Sequence, residues 1–264
     1  MSQTYAPTAP TSQGAWVKNL DQYREMYERS IKDPDGFWGE FAESFHWQTK
    51  WDKVLSWDFD KDIQIQWFKG GKTNICYNAL DRHLETRGDR IAFYWEGNAP
   101  GEDSTITYRQ LHEQVCKFAN VLKSKGVKKG DRISIYMPMV MELTIAVLAC
   151  ARIGAMHSVV FGGFSADSLA NRILDSTCTV LITTNAVYRG AKAIPLKQNA
   201  DKAMKIAADN GVTVASCIVY NRVPDLKIDM QDGRDVWWNE EMDKASADCP
   251  VVWMDAEDPL FILY

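Results

Sequence analysis

Between Arg132 and Lys197 three short apolar strands alternate with two helices, and that alternation leaves few folds open. RISIYMP (Arg132–Pro138) is a β-branched run closed by proline, which predicts a buried strand and a turn. The next segment, Val140–Gly154, is apolar almost all round, with only Glu142, Thr144 and Arg152 polar or charged. A helix of that composition has no wide solvent face and belongs inside a protein, and it is shorter than the roughly twenty residues that span a bilayer. His157–Val160 is a second strand, running directly into Phe161-Gly162-Gly163-Phe164. Ser165 is a good N-cap for a helix with Leu169, Ala170, Ile173 and Leu174 on one face. Val180–Thr183 is a third strand, followed by the basic loop VYRGAK (Val187–Lys192). Strand, helix, strand, helix, strand predicts an α/β fold built on a parallel sheet with crossover helices.

In such sheets ligands sit beyond the carboxyl ends of the strands. Two places qualify. Gly162 and Gly163 leave a strand and enter a helix N-terminus, where a ligand can approach bare backbone near the positive end of the helix dipole. Arg189 and Lys192 follow the next strand and have the charge to hold phosphates. A glycine pair after a strand also serves as a plain tight turn, and two basic loop residues are also commonly just solvated. Spacing alone does not choose between these readings.

The chain has 264 residues and a formal net charge of −5, with its basic residues scattered and outnumbered. That balance argues against a nucleic acid or an anionic membrane as partner. Cysteines 76, 116, 150, 178, 217 and 249 form no C-x-x-C pair, and no histidine cluster is evident beside them, so they predict reduced thiols and no metal site. MSQTYAPTAPTSQ has neither the basic and apolar blocks of a secretory leader nor an arginine-rich amphipathic face; the expected address is the cytoplasm.

Residues 1–15, rich in Thr, Ser and Pro, predict a loose tail, and residues 16–88 an aromatic-rich N-terminal extension. Trp16, Trp38, Trp47, Trp51, Trp57 and Trp67 lie there, with helices expected near Leu20–Ser30 and Gly36–Phe45. So many large rings suit a segment fastened to a larger domain better than a ligand cage or a base-stacking surface. Asn74–Thr86 is expected to be one helix. The main α/β domain is expected over 89–264. Ile91–Glu96 and Ser104–Thr107 predict strands, and Thr107 with Gln110 a capping box for helix Tyr108–Lys125. Pro195 opens a helix to Asn210, Cys217–Tyr220 is a strand, and Val236–Lys244 a short helix. His46, His83, His112 and His157 lack partner ligands in sequence and are expected to be structural or solvated. Phe261-Ile262-Leu263-Tyr264 predicts a strand buried between two layers.

ARIGAMHSVVFGGFSADSLANRI (Ala151–Ile173) followed by YRGAKAIPLK (Tyr188–Lys197) closely resembles the AMP-forming acetyl-CoA synthetases of the adenylate-forming ligase superfamily, and the resemblance runs from about Tyr23 to Tyr264. It implies the first part of the large domain of such a ligase. It implies a reaction in which acetate and ATP give an acetyl-adenylate and diphosphate, after which the thiol of coenzyme A displaces AMP. Propionyl- and acetoacetyl-CoA synthetases are near alternatives; a non-catalytic truncated isoform or interaction fragment is an alternative of another class. Small-molecule substrates (coenzyme A, ATP with magnesium, acetate) and the remainder of the same polypeptide are the partners it implies. It assigns no catalytic or metal-binding residue to this stretch, because the phosphate-binding loop and catalytic lysine of such ligases lie beyond the position of Tyr264; a chain ending there is expected to be inactive alone. It does assign part of a coenzyme A site. Arg189, Gly190, Ala191 and Lys192 match the basic loop facing the nucleotide end, Phe161, Gly162 and Gly163 the wall of the pantetheine tunnel, and Ile194 a position beside the adenine.

Overall fold

The computed structural model describes residues 8–190 and 192–264. The chain divides into two compact units, residues up to Lys72 with Asp255–Glu257, and Thr73–Met254 with Asp258–Tyr264.

In the first unit, α1 (Ala9–Gly14), α2 (Leu20–Lys32) and α3 (Pro34–Ala42) precede an antiparallel hairpin of β1 (Lys53–Asp58) and β2 (Gln64–Lys69), which β3 (Lys72–Thr73) follows. Asn19 caps α2 by accepting the Gln22 amide at 2.8 Å, and Asp33 caps α3 by accepting that of Gly36 at 3.0 Å. The aromatic residues find one another. Trp38 meets Trp67 edge-on at 6.1 Å, and Trp47 and Trp51 each lie 5.2 Å from Phe68. Trp47 also donates its indole hydrogen to the Ala42 carbonyl at 2.9 Å, so a large apolar ring keeps its polar handle satisfied.

The second unit opens with α4 (Ile75–Ala79), a 3-10 turn (Asp81–His83), α5 (Leu84–Arg87), and a hairpin of β4 (Ile91–Glu96) and β5 (Asp103–Thr107). Then come α6 (Tyr108–Ser124), β6 (Arg132–Met137), α7 (Met141–Ile153), β7 (Met156–Phe161), α8 (Ala166–Ser176) and β8 (Val180–Thr184). A small hairpin, β9 (Val187–Arg189) and β10 (Lys192–Ile194), leads to α9 (Leu196–Asp209), β11 (Ser216–Tyr220), β12 (Asp235–Trp237), α10 (Trp238–Lys244) and β13 (Met254–Asp255). The central sheet has the spatial order β12-β11-β8-β6-β7, every pairing in it parallel. The chain thus steps from β6 to one side, returns to pair β8 with the other side of β6, and continues outward. Because crossovers keep one hand, that reversal puts helices on opposite faces. Ile133, Ile135 and Met137 of β6 face the core packed by α6, α7 and α10, while Tyr136 faces the core packed by α8 and α9.

Several elements differ from the sequence reading. Asn74–Thr86 is not one helix: Leu80 leaves helical geometry (φ −123°, ψ −66°), and the chain restarts as a 3-10 turn. The break turns the Asp81 carboxylate onto the Arg152 guanidinium, two bonds of 2.9 Å each, with His112 Nε2 at 3.2 Å. Val236–Lys244 begins as a strand, since Asp235–Trp237 extends the parallel ladder on β11 before α10 starts. The VYRGAK loop folds into the β9–β10 hairpin. His112 Nε2 also lies 3.6 Å from Cys116 Sγ, one helical turn away on α6. Phe261–Tyr264 is not a buried strand. Its one ladder contact is a parallel bridge to His157, through the Ile262 amide at 2.9 Å, and Leu263 is 82 % exposed. An apolar run announces a wish for cover; whether a second layer provides it depends on distant residues.

The Arg152–Asp81–His112 cluster ties the break to α6 and α7. Arg152 is 4 % exposed and spends its third polar group, Nε, on the Cys249 carbonyl at 2.6 Å. Burial works to raise the Asp81 carboxyl, but the hydrogen bonds from His112 and Arg152 outweigh it and hold the group at about 2. The bond to Asp81, helped by Cys116, lifts His112 to about 9. Asp81→Ala strands the Arg152 charge and is expected to cost about 3–5 kcal/mol of unfolding free energy, read by urea denaturation at pH 7. A loss below about 1 kcal/mol would show that the pair is not buried in solution. Stability from charged His112 is full below its ordinary value of 6.5 and is lost as pH rises through about 9. Stability from Asp81 is full above 3.8 and is lost as pH falls toward about 2. Unfolding free energy should therefore decline between pH 6.5 and 9, and His112→Gln should flatten that decline; an equal slope in both proteins would contradict the assignment.

Candidate functional site

The reversal in strand order falls between β6 and β8, and in open α/β sheets the crevice beyond the strand ends at such a point is where ligands bind. One buried side chain organises that end. Asn185, fully buried just after β8, accepts the amides of Arg222 at 2.9 Å and Val223 at 3.1 Å through Oδ1. Its Nδ2 donates to the Val223 carbonyl at 2.7 Å and to Asn221 Oδ1 at 2.8 Å, so the exits of β8 and β11 are fastened together.

From this anchor rises the β9–β10 hairpin. Val187 pairs with Ile194, Tyr188 with Ala193 and Arg189 with Lys192. Val187 and Ile194 are half-buried against the core under α8 and α9, which leaves the hairpin's far end, with Arg189 and Lys192, exposed. Gly190, which begins the connection, has φ +55°, the left-handed region natural to glycine in tight hairpins. Ala191 lies outside the described residues. Arg189 and Lys192 stand directly opposite each other, and like charges so placed repel. Among the described residues neither forms a salt bridge.

The glycine pair approaches from β7. A methyl group built on Gly163 would stand 2.6 Å from Arg189 Nη2 and 2.5 Å from the Phe161 ring, and one on Gly162 would stand 3.3 Å from the Met137 carbonyl carbon. A side chain at Gly163 would displace the Arg189 guanidinium and the Phe161 ring, whereas Gly162 sits tightly against the β6 exit. The fully buried Tyr136 steadies this turn, its hydroxyl donating to the Phe164 carbonyl at 2.7 Å. Phe161 is largely exposed and meets Phe164 edge-on at 5.8 Å. The fold thus brings the two sequence motifs, FGG and RGAK, to one place; Ile194 is the member turned most toward the core.

Other residues of this rim carry no signal in sequence. Arg222 lies over the Trp95 ring at 5.3 Å and the Tyr188 ring at 5.7 Å, and forms an ion pair with Glu102. The bond from Arg222 and the amides of Ala99 and Asn98 hold the Glu102 carboxyl below its ordinary range. Two adjoining clefts of about 170 Å³ each share Trp95, Val140 and Arg222. In one of them burial raises the Glu142 carboxyl, which hydrogen-bonds Tyr220. Asn98, 92 residues before the Gly190 it bonds, and Glu102 come from a distant connection, and Arg222 from a polar stretch with no periodicity. Only the fold could assemble them.

Among the described residues no group of three or more His, Cys, Asp or Glu could hold a metal ion, and no helix is long and apolar enough to cross a membrane. The profile of the acetyl-coenzyme A synthetase N-terminus matches residues 23–79, and that of the AMP-binding enzymes matches residues 80–264. An acetyl-coenzyme A synthetase of Desulfatibacillum aliphaticivorans is 53% identical over 250 residues, covering 95% of this chain and 38% of that protein. Acetyl-coenzyme A synthetase 2 of Pseudomonas aeruginosa is 54% identical, over 93% of this chain and 37% of its own length. Among solved structures, an acetoacetyl-CoA synthetase from Streptomyces lividans shares the fold with a TM-score of 0.82 at 24% identity, over 97% of this chain and 38% of that one. The chain thus spans under two-fifths of the length of these relatives. With an acetyl-coenzyme A synthetase N-terminus followed by 185 residues matching the AMP-binding profile, the chain belongs to the family of AMP-binding enzymes.

Proposed function

We propose that this chain forms part of the coenzyme A site of an acetate–CoA ligase. In that reaction an acetate oxygen attacks the α-phosphorus of ATP and expels diphosphate; the thiol sulfur of coenzyme A then attacks the acetyl carbon of the adenylate and expels AMP. Arg189 and Lys192 hold phosphates of the nucleotide end, the Phe161–Gly163 turn lies along the pantetheine arm, and Ile194 packs near the adenine. Acetate as acyl substrate follows the names of the most similar relatives, and acetoacetate is the second choice, from the structural relative. Six buried free cysteines suit a reducing compartment, for which we propose the cytoplasm.

The observation that carries the reading is the Arg189–Lys192 cross-strand pair. Two like charges, opposite each other and without a salt bridge among the described residues, gain from a bound anion that neutralises both. The flat guanidinium gives a bidentate contact and the lysine a point contact. The closeness of Gly163 to Arg189 adds a wall of bare backbone on which a thin chain can lie.

Titrating coenzyme A by calorimetry checks this. Arg189→Ala should weaken binding by roughly tenfold to a hundredfold, as for one charge-assisted contact of ~1.5–3 kcal/mol, and Lys192→Ala by less. A change within ~0.5 kcal/mol for Arg189→Ala would identify the residue as merely solvated and end the assignment. Gly163→Ala should also lose affinity, because its methyl group collides with the Arg189 guanidinium and the Phe161 ring. Binding as tight as wild type in that variant would show that the close approach is not used.

A further inference from the structure

We propose that Asn98, Glu102 and Arg222 form a strut that holds the Arg189–Lys192 hairpin in place, and that they act on ligand only through it. The proposal rests on the coenzyme A reading for its functional consequence; the strut itself is geometric. The connection from Gly97 to Glu102 joins β4 to β5. At its tip Asn98 donates through Nδ2 to the Gly190 carbonyl at 2.7 Å, the residue that turns the hairpin.

Glu102 fixes the donor. One carboxylate oxygen, Oε2, accepts the Asn98 amide at 2.8 Å and the Ala99 amide at 3.2 Å, closing the turn that carries Asn98. The other oxygen takes the ion pair from Arg222. Arg222 in turn is set at the exit of β11 by Asn185, through the bond to its own amide. Its guanidinium fills the space between Trp95 of β4 and Tyr188 of β9. The hairpin is therefore held on two points, the Gly190 carbonyl at the tip and the Tyr188 ring on the flank.

A reason for such bracing lies in the hairpin itself. It has three residue pairs, and one of them sets Arg189 against Lys192. A short two-stranded ribbon is marginal alone, and repulsion across the pair beside its turn works to splay it. The strut opposes that splaying without neutralising either charge, since Glu102 is committed to Arg222 and Asn98 brings an uncharged donor. The cations keep their spacing and remain free for an anion. Asn98, Glu102 and Arg222 are thus positioning residues.

Amide hydrogen exchange and coenzyme A titration on the same variants separate the strut from its use. In Asn98→Ala and in Arg222→Met, exchange in peptides covering 187–194 should rise, while exchange in β6 and β8 stays as in wild type. Asn98→Ala removes the donor at an exposed position without adding a charge, so folding is preserved even where Arg222→Met unfolds. Unchanged exchange in Asn98→Ala overturns the strut. Coenzyme A affinity should fall roughly threefold to tenfold in Asn98→Ala, as for one lost hydrogen bond. Preference for coenzyme A over its 3′-dephospho form should narrow as well. Adding Asn98→Ala to the Arg189→Ala/Lys192→Ala protein should weaken binding no further. Additive losses would overturn the positioning role by showing that Asn98 touches ligand itself. Raised exchange with affinity insensitive to Arg189→Ala would uphold the strut and reject the coenzyme A reading instead.

Discussion

Asn185 is the point on which the functional end of this molecule depends. Its carboxamide, buried between the exits of two parallel strands, meets backbone groups of Arg222 and Val223 that no regular ladder can reach. An unpaired buried polar group costs about 1–3 kcal/mol, so Val223, whose amide and carbonyl both meet Asn185, would otherwise pull its strand end toward water. With Asn185 in place, β8 can leave the sheet as a hairpin and β11 can present Arg222 beside it. The basic hairpin, the glycine turn and the aromatic rim are arranged around that one satisfied amide.

The α/β architecture was legible because it rests on local periodicity. Arg132–Met137 and Val180–Thr184 are short, largely apolar runs buried on both faces, Met156–Phe161 is a similar run at the sheet edge, and Ser165 caps the helix that follows it. The features that were not legible depend on partners far along the chain. The break at Leu80 is invisible in NALDRHLE because its reason is Arg152, seventy-one residues away from Asp81. Asp235–Trp237 becomes a strand because β11 offers an edge, and its tryptophan suits a helix equally well. Phe261–Tyr264 misled in the opposite direction, an apolar run left with a single bridge.

The site divides the same way. FGG and RGAK stand out by composition and by likeness to a known family, and the fold brings them together at Gly163 and Arg189. Asn98, Glu102, Asn185 and Arg222 are ordinary polar residues in ordinary connections, and nothing about their spacing suggests that they meet. Their importance comes from bonds to backbone and to one another, which only tertiary structure creates. A resemblance names the residues that face a ligand; the groups that keep those residues still have to be found by following hydrogen bonds.

The central claim concerns two cations held opposite each other for an anion. A crystal structure of this chain soaked with coenzyme A tests it most directly. The account predicts phosphate oxygens within hydrogen-bonding distance of the Arg189 guanidinium and the Lys192 ammonium, with the pantetheine arm passing the Gly162–Gly163 backbone. Coenzyme A bound elsewhere on the chain, with both side chains still facing solvent, would contradict it.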